Sequence, residues 1–349
     1  MPAYPRCKII KQDRVGVYHV TTRCVQQMFL LGMDYLTGND YGHRKSWIIT
    51  WLKSLADVFL VDVCAFSILD NHVHLILRNR PDQLEELSDQ DVANRLARLY
   101  SGERRLIELP EIADPDVVKK YLNNRRLIKK KRGDLTDISV FMKVWEEAIS
   151  RRANKEMKKT GHFWQGRFSS QVLEDDAAIL ACCAYVDLNP FRAGIVHLPE
   201  LSEFTSLRIR LQESISRLGE NYASPVCEVG MPDVKWLAPI FKDENESSTR
   251  SKSALNVSTS EYFQLLDEYS RKPHRGKETG IDPKSKSILE RVGICPNMWL
   301  VGIKSFGKWF QRVVGKPESI RIHNEDQGRH WSRGITNCKA LFSGDGIPT

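Results

Sequence analysis

Two histidines stand two residues apart in the segment NHVHLIL, at His72 and His74. Side chains alternate between the two faces of a strand, so these imidazoles share one face while Val73, Leu75 and Leu77 point to the other. Their Cα atoms are then roughly 6.6 Å apart, which lets both rings reach one cation. A His-x-His pair taken alone is more often solvent-facing or hydrogen-bonded, so the pair indicates a metal site only together with other residues.

A divalent ion on this pair can polarise a phosphodiester oxygen and orient a leaving 3′ oxygen. Mg²⁺ prefers oxygen ligands, whereas Mn²⁺ accepts imidazole, and we expect one of these two ions. Histidine-triad nucleotide hydrolases also alternate histidines along a strand. Ile76 occupies the third position here, which disfavours that class.

Two segments of the chain are strongly basic. The second of them leads directly into GHFWQGRF, residues 161–168, which interleaves aromatic rings with cations as single-strand binding surfaces do. We predict a DNA contact there, and the alternative for Trp164 and its aromatic neighbours is core packing. The two segments contain Arg125, Arg126, Lys129, Lys130, Lys131 and Arg132, and then Arg151, Arg152, Lys155, Lys158 and Lys159.

The charge balance favours a polyanionic partner, because 52 Lys and Arg against 44 Asp and Glu give a formal net charge of +8 at pH 7. The composition, 41% hydrophobic and 28% charged, is that of a soluble globular protein. The first fifteen residues lack the apolar stretch of a secretory signal, and we expect a cytoplasmic protein without a membrane partner. The eight cysteines include no Cys-x-x-Cys pair, which excludes a zinc ribbon.

The spacing of apolar and β-branched residues predicts the elements that position the histidines. The order is strand, helix, strand, strand, helix, strand, which is the split ferredoxin-like arrangement with both helices on one face of an antiparallel sheet and the opposite face free. The sequence therefore predicts an α+β fold. The predicted elements are a strand over 15–24, a helix over 44–59, a hairpin over 61–77, a helix over 137–158, a strand over 169–173 and a further helix over 175–188.

Composition divides the chain into two predicted domains. Residues 1–240 form the DNA-binding and catalytic domain, with a mostly charged helical insertion at about 80–136. Residues 241–260 are rich in Ser, Asn, Glu and Lys and are predicted to be the linker. Residues 261–349 form a helical C-terminal domain, whose first helix starts at the capping box Ser258-x-x-Glu261.

Four segments, YHVTTRC, NHVHLIL, HFWQGRF and AYVDLNPFRAG, follow one another between about residues 15 and 200. In this combination the chain resembles the REP-associated tyrosine transposases, which are HUH-type insertion-sequence transposases acting on single-stranded DNA. The resemblance implies a ferredoxin-like sheet, a divalent metal on His72 and His74, and a tyrosine that forms a 5′-phosphotyrosine link and releases a 3′ hydroxyl. It also implies a hairpin or repeat such as a REP element as partner, and a monomer or homodimer.

The tyrosine that this resemblance implies is missing from its expected helix. The position falls on Ile149, or on Ala148 or Arg152 if the register slips, and no tyrosine occurs between Leu122 and Ala184. Ile149 lies on the apolar side of the helix. The remaining candidates for the nucleophile are a tyrosine from another element, Tyr185 or Tyr121, and water. Two histidines also leave an open metal shell, and Asn154 is the candidate third ligand, with Glu146 and Glu147 behind it.

The leading hypothesis from the sequence is an enzyme, a transposase that cuts and rejoins single-stranded DNA. The first alternative is a non-catalytic, domesticated DNA-binding regulator, which the missing tyrosine favours. The second is a metal-dependent single-strand nuclease with an activated water. The predicted DNA contacts are Arg151, Arg152, Lys155, Lys158, Lys159, Trp164, Arg167 and Arg192, of which Arg167 and Arg192 hold phosphates.

Overall fold

The computed structural model describes residues 9–100, 109–217, 236–242, 255–271, 284, 286, 289–290 and 293–343. The fold is α+β, as the sequence predicts. The strands are β1 (Gly16–Arg23), β2 (Met33–Asp34), β3 (Asn39–Asp40), β4 (Val61–Ile68), β5 (His72–Asn79), β6 (Ser169–Leu173), β7 (Phe241–Lys242), β8 (Leu255–Ser258) and β9 (Val313–Val314). The helices are α1 (Arg44–Val58), α2 (Pro81–Leu84), α3 (Asp89–Leu99), α4 (Pro115–Leu122), α5 (Arg125–Arg132), α6 (Ile138–Glu156), α7 (Asp176–Asp187), α8 (Asn189–Arg192), α9 (Ser206–Arg217), α10 (Thr259–Arg271), α11 (Pro296–Trp309), α12 (Pro317–Asp326) and α13 (Ile335–Ser343).

The central sheet has five strands in the order β4, β5, β1, β6, β9. The first four pair antiparallel, and β9 pairs parallel to β6. The first four strands follow one another along the chain and lie side by side in the sheet as they do in the split ferredoxin-like arrangement. The ferredoxin-like prediction is therefore confirmed. Helix α1 connects β1 to β4, helix α6 lies between β5 and β6 in the sequence, and the two helices pack on each other on one face of the sheet.

Aspartate caps start the two helices that matter most for the site. Asp137 accepts a hydrogen bond from the Ser139 amide at the start of α6, and Asp175 accepts one from the Ala178 amide at the start of α7. Helix α7 ends at Asp187, and the short helix α8 begins at Asn189 with Pro190 in its first turn, where proline is tolerated. The predicted bounds of these helices are therefore right to within two residues.

The second face of the sheet is covered, and the prediction that it is free is wrong. Helix α7 packs against β4, β5 and β6 on this face, and α11 packs against α7. The physical reason lies in the sequence DAAILACCAYVD, which is apolar on almost every side. A helix of that kind is stable only between two layers. The molecule thus has α1 and α6 on one side of the sheet and α7, backed by α11, on the other.

The predicted insertion is helical where the structure describes it. Helices α3, α4 and α5 enclose a small core of their own, and residues 101–108 lie outside the described residues. None of the described helices is long and apolar enough to cross a membrane. The small core consists of Val92, Ala93, Leu96, Ala97, Val118, Ile128 and Leu135.

Residues of the C-terminal part share the main hydrophobic core with the rest of the chain. This core includes Trp299, Phe306 and Phe310, and β9 adds a fifth strand at the edge of the central sheet. Of the predicted linker, residues 243–254 lie outside the described residues, while its ends pair as β7 and β8. The capping box is confirmed, since the Ser258 amide donates to Glu261 Oε2 at 2.8 Å. The division into two domains stays a prediction.

Candidate functional site

Three histidines meet on the face of the sheet that lies under α7. His72 and His74 come from β5, and His19 comes from the adjacent β1. The rings of His72 and His74 are 5.0 Å apart at an angle of 82°, and those of His19 and His74 are stacked at 5.1 Å. The alternation predicted for His72 and His74 is therefore right, and their rings converge. We call His19, His72 and His74 the histidine cluster.

Antiparallel pairing explains why His19 joins the cluster although the sequence analysis did not select it. In the register of β1 and β5, Thr21 lies opposite His74 and Arg23 opposite His72. Residues directly opposite one another point to the same face, and His19 is two residues before Thr21 on its strand. The segment YHVTTRC therefore contributes every second residue to the site. This alternation was visible in the sequence, whereas the register that brings it to His74 was not.

The hydrogen-bond partners of the cluster assign a tautomer to each histidine, and the Thr21 hydroxyl lies within reach of both His74 Nδ1 and His19 Nε2, at 3.1 and 3.4 Å. Gln171 on β6 and Asn71 present amide oxygens, which only accept, to His19 Nδ1 at 2.9 Å and to His72 Nδ1 at 2.6 Å. Asn71 is oriented by donating its amide to the Gln27 carbonyl. His19, protonated at Nδ1, accepts at Nε2 from His74 Nδ1 at 2.9 Å.

Consequently His72 and His74 both use Nδ1–H inside the protein and keep the lone pair on Nε2. Metal-binding histidines have this arrangement, in which the second ring nitrogen donates to a protein acceptor.

Burial keeps these imidazoles neutral. It lowers the pKa of His19 and of His72 to about 4, and it lowers the pKa of His74 well below its ordinary value. The positive charge of Arg23 lowers the pKa of His72 and His74 further. At neutral pH the Nε2 lone pairs of His72 and His74 are therefore available as ligands. The donor set consists of nitrogen atoms, which suits Mn²⁺ better than Mg²⁺.

Tyr185 on α7 lies directly against the histidine cluster. Its ring meets His74 edge to face at 5.5 Å and His19 at 5.9 Å, and it stacks on Phe306 of α11 at 5.1 Å. Burial raises the pKa of Tyr185, so its phenol is neutral at pH 7. Gly307 allows this fit, because a Cβ there would stand 2.8 Å from the phenol oxygen.

Arg192, at the end of α8, lies over the Tyr185 ring with its guanidinium carbon 4.9 Å from the centroid. It also donates to the Lys304 carbonyl at 2.6 Å, which ties α8 to α11. The structure thus brings Tyr185 and Arg192 to the cluster. The other tyrosine left open by the sequence, Tyr121, instead packs against the small core of the insertion.

Helix α6 contributes no polar group to the histidine cluster. Ile149, at the expected tyrosine position, is fully buried in the core, as predicted. Asn154 donates its side-chain amide to the Gly161 carbonyl at 2.9 Å and so closes the turn after α6. Among the described residues it makes no hydrogen bond to either predicted metal ligand. Glu147 pairs with Arg151, and Glu146 offers its backbone carbonyl to Trp164.

Trp164 is a core residue, and the prediction that it contacts DNA is corrected. Its side chain is 6% exposed and stacks on the fully buried Trp145 at 5.4 Å, and its Nε1 donates to the Glu146 carbonyl. An indole packed in this way offers no open face to a base. The backbone around it pairs with the end of β1, where Gln165 donates to the Arg23 carbonyl. This pairing brings the basic turn after α6 close to the strand end that carries Arg23.

The other predicted DNA contacts are on the surface at this end of the molecule. Arg152 lies over the Trp47 ring at 4.0 Å, and Arg151 forms its ion pair on the helix. The remaining predicted cations, which are exposed, are Lys155, Lys158, Lys159 and Arg167. Their role in DNA binding stays a prediction.

A metal at the cluster would have two protein ligands. In the part of the chain that the structure describes, no group of three or more His, Cys, Asp or Glu side chains is arranged to hold a metal ion. His72 and His74 nevertheless fit as the two protein ligands of a metal site with open coordination positions, since both Nε2 atoms carry a lone pair and no proton. The other coordination positions are then left for oxygen atoms of a substrate or of water.

Comparisons with known proteins add one distant likeness. No protein-family model matches the chain, and no curated protein matches it either. A solved structure of a REP-associated tyrosine transposase bound to a REP hairpin is similar over 72% of this chain and 100% of that chain, with 13% identity and a TM-score of 0.34. A TM-score this low says nothing further about what this chain does.

Proposed function

We propose that this protein binds single-stranded DNA and cuts and rejoins it at the histidine cluster, as a transposase does. The observation that carries this proposal is the histidine cluster itself, in which His72 and His74 use Nδ1 for hydrogen bonds inside the protein and the ring of Tyr185 packs against His74. A net charge of +8 and the exposed cations after α6 fit a polyanionic partner. The four sequence segments that resemble REP-associated tyrosine transposases favour single-stranded DNA with a hairpin or repeat over other polyanions.

His72 and His74 would hold a divalent metal through Nε2, with oxygen atoms of the DNA rather than Asn154 completing the shell. Such an ion supplies polarisation of a phosphodiester oxygen and stabilisation of the leaving 3′ oxygen. His19 is a positioning residue, because it accepts the Nδ1 proton of His74 and thereby keeps the Nε2 lone pair of that ring free.

Tyr185 is the proposed nucleophile, in place of the tyrosine that α6 lacks. Its phenol oxygen bonds to phosphorus as the bond from phosphorus to the 3′ oxygen breaks, and the phenol proton passes to that oxygen. The product is a 5′-phosphotyrosine and a free 3′ hydroxyl, and the reverse step rejoins the strand without water or ATP. Arg192, which lies over the Tyr185 ring, would hold the phosphate by charge-assisted hydrogen bonds.

A second candidate function is a DNA-binding regulator without chemistry. One observation favours it: His74 is only 4% exposed beneath α7, so DNA contacts this ring only if α7 moves, although His72 is partly exposed. In this case the exposed cations after α6 supply the DNA affinity by themselves.

One assay distinguishes these functions. The protein is incubated with an end-labelled single-stranded hairpin and Mn²⁺, and denaturing gels report protein–DNA adducts and cut ends. An adduct supports the transposase, cut ends without an adduct support the nuclease, and tight binding of intact DNA supports the regulator.

The double variant His72→Ala, His74→Ala is expected to abolish cutting and to leave salt-sensitive binding in place, since phosphate contacts supply most of the affinity. Cutting that persists in this variant would place the reaction elsewhere.

A further inference from the structure

A cavity of about 210 Å³ opens in the C-terminal part, far from α6 in the sequence. Three arginines and a tryptophan dominate its wall, and Trp331 is 65% exposed. Because so much of this indole is exposed, its packing contributes little to the stability of the fold, and its face is open to a ligand. The described residues that line the cavity are Gln311, Arg312, Arg329, Trp331, Ser332 and Arg333.

We propose that this cavity binds a nucleotide, with the phosphate on the arginines and the base on the indole of Trp331. Guanidinium groups bind phosphate through paired, charge-assisted hydrogen bonds, and an exposed indole is a stacking surface for any base. The volume is below the roughly 300 Å³ at which pockets begin to enclose a drug-sized ligand. It therefore suits a phosphate inside, with the base outside on Trp331.

The loop that carries the tryptophan is held in place by hydrogen bonds and close packing. The buried Asn324 on α12 accepts from the Arg329 amide at 2.8 Å, and its side chain accepts from the Ser332 hydroxyl. Gly334 has a φ of +95°, and a Cβ there would lie 2.7 Å from the Trp309 carbonyl, so the loop runs tightly against the end of α11. A fixed loop lowers the entropy cost of binding.

The position of the cavity connects it to the histidine cluster. The Arg312 carbonyl accepts from the Val172 amide, and the parallel register of β6 and β9 sets Arg312 beside Gln171. Gln171 in turn accepts from His19. Two strand spacings, about 10 Å, separate β9 from β1.

A nucleotide in the cavity can therefore belong to the same DNA strand that the cluster holds. If the nucleotide is part of that DNA strand, the inference rests on the proposed function. If it is a free nucleotide, the inference does not depend on that function.

The test measures binding of a fluorescent oligothymidylate and of free thymidine monophosphate to the full chain. Trp331→Leu and Arg333→Ala are expected to weaken oligonucleotide binding about tenfold, and Arg333→Lys to recover part of the loss. Arg333→Ala is also expected to lower the slope of log affinity against log salt by about 0.7. Lys308→Ala is the matched control, because it removes the same charge from an exposed position on α11.

The possible results distinguish the proposal for the cavity from the proposal for the histidine cluster. If Trp331→Leu and Arg333→Ala bind the oligonucleotide as tightly as Lys308→Ala does, the proposed nucleotide site in the cavity is wrong. The proposed function is unaffected by that result. Monophosphate binding that quenches the tryptophan fluorescence of the unmodified chain and is lost in Arg333→Ala, which keeps Trp331, supports the cavity with a free nucleotide as its ligand. A chain that binds neither probe overturns both proposals.

Discussion

Helices α6 and α7 cover opposite faces of one sheet, and they differ in what they present to it. Helix α6 presents Phe141, Trp145 and Ile149, all fully buried, and carries its cations on the outside. Helix α7 presents Tyr185 to the histidine cluster. Helix α6 therefore stabilises the sheet and leaves its cations exposed for the proposed contact with DNA, whereas the proposed chemistry lies under α7. In the proposed function, Tyr185 on this face takes the role of the tyrosine that α6 lacks.

The largest expected effect is on stability, on the α6 side. Trp145→Ala should lower the free energy of unfolding by about 3–5 kcal/mol, since it empties a fully buried site on which Trp164 stacks. Denaturant unfolding followed by circular dichroism measures this loss. Trp331→Ala is the control, because a change at an exposed position should stay within about 0.5 kcal/mol. Equal losses in the two variants would contradict the role given to α6.

The next effect is the pH dependence of stability, on the α7 side. The pKa of His19 is about 4 in the folded chain and about 6.5 when unfolded, so the unfolded chain binds more protons between these values. The contribution of His19 is complete above pH 6.5 and is lost as the pH falls toward 4, about 3 kcal/mol in all. The measurement is unfolding with a chelator present, compared with His19→Gln. A pH profile identical in the two proteins would contradict the buried, neutral His19.

A smaller effect tests whether the missing tyrosine can be restored. Ile149→Tyr should cost about 1–3 kcal/mol of stability, because it overpacks a full site and buries a hydroxyl. It should produce no adduct with DNA in the absence of Tyr185, as in the double variant Ile149→Tyr, Tyr185→Phe. An adduct on residue 149 would show that the polar chemistry belongs to α6 after all.

Local patterns of the sequence predicted the elements, whereas contacts distant along the chain decided the site. The alternation in NHVHLIL predicted a strand, and the spacing of apolar residues predicted the helices over 137–158 and 175–188, because both patterns depend on neighbouring residues. His19 and Gln171 escaped prediction because the strand register that brings them to His74 involves residues 55 to 152 positions apart. Trp164 was misassigned because stacking on a base and packing in a core require the same side chain.

The covering of the histidine face by α7 could have been predicted. The sequence DAAILACCAYVD has no polar side, which excludes a surface helix. The sequence therefore favours a helix buried between two layers.

Locating the covalent bond between protein and DNA tests most directly whether Tyr185 is the nucleophile. After incubation with a single-stranded hairpin and Mn²⁺, the adduct is digested and the modified peptide is identified by mass spectrometry, with Tyr185→Phe and Tyr121→Phe run beside the unmodified chain. We expect a nucleotide on Tyr185, loss of the adduct in Tyr185→Phe and an unchanged adduct in Tyr121→Phe. An adduct of undiminished yield in Tyr185→Phe, or cut DNA without any adduct, would contradict this expectation.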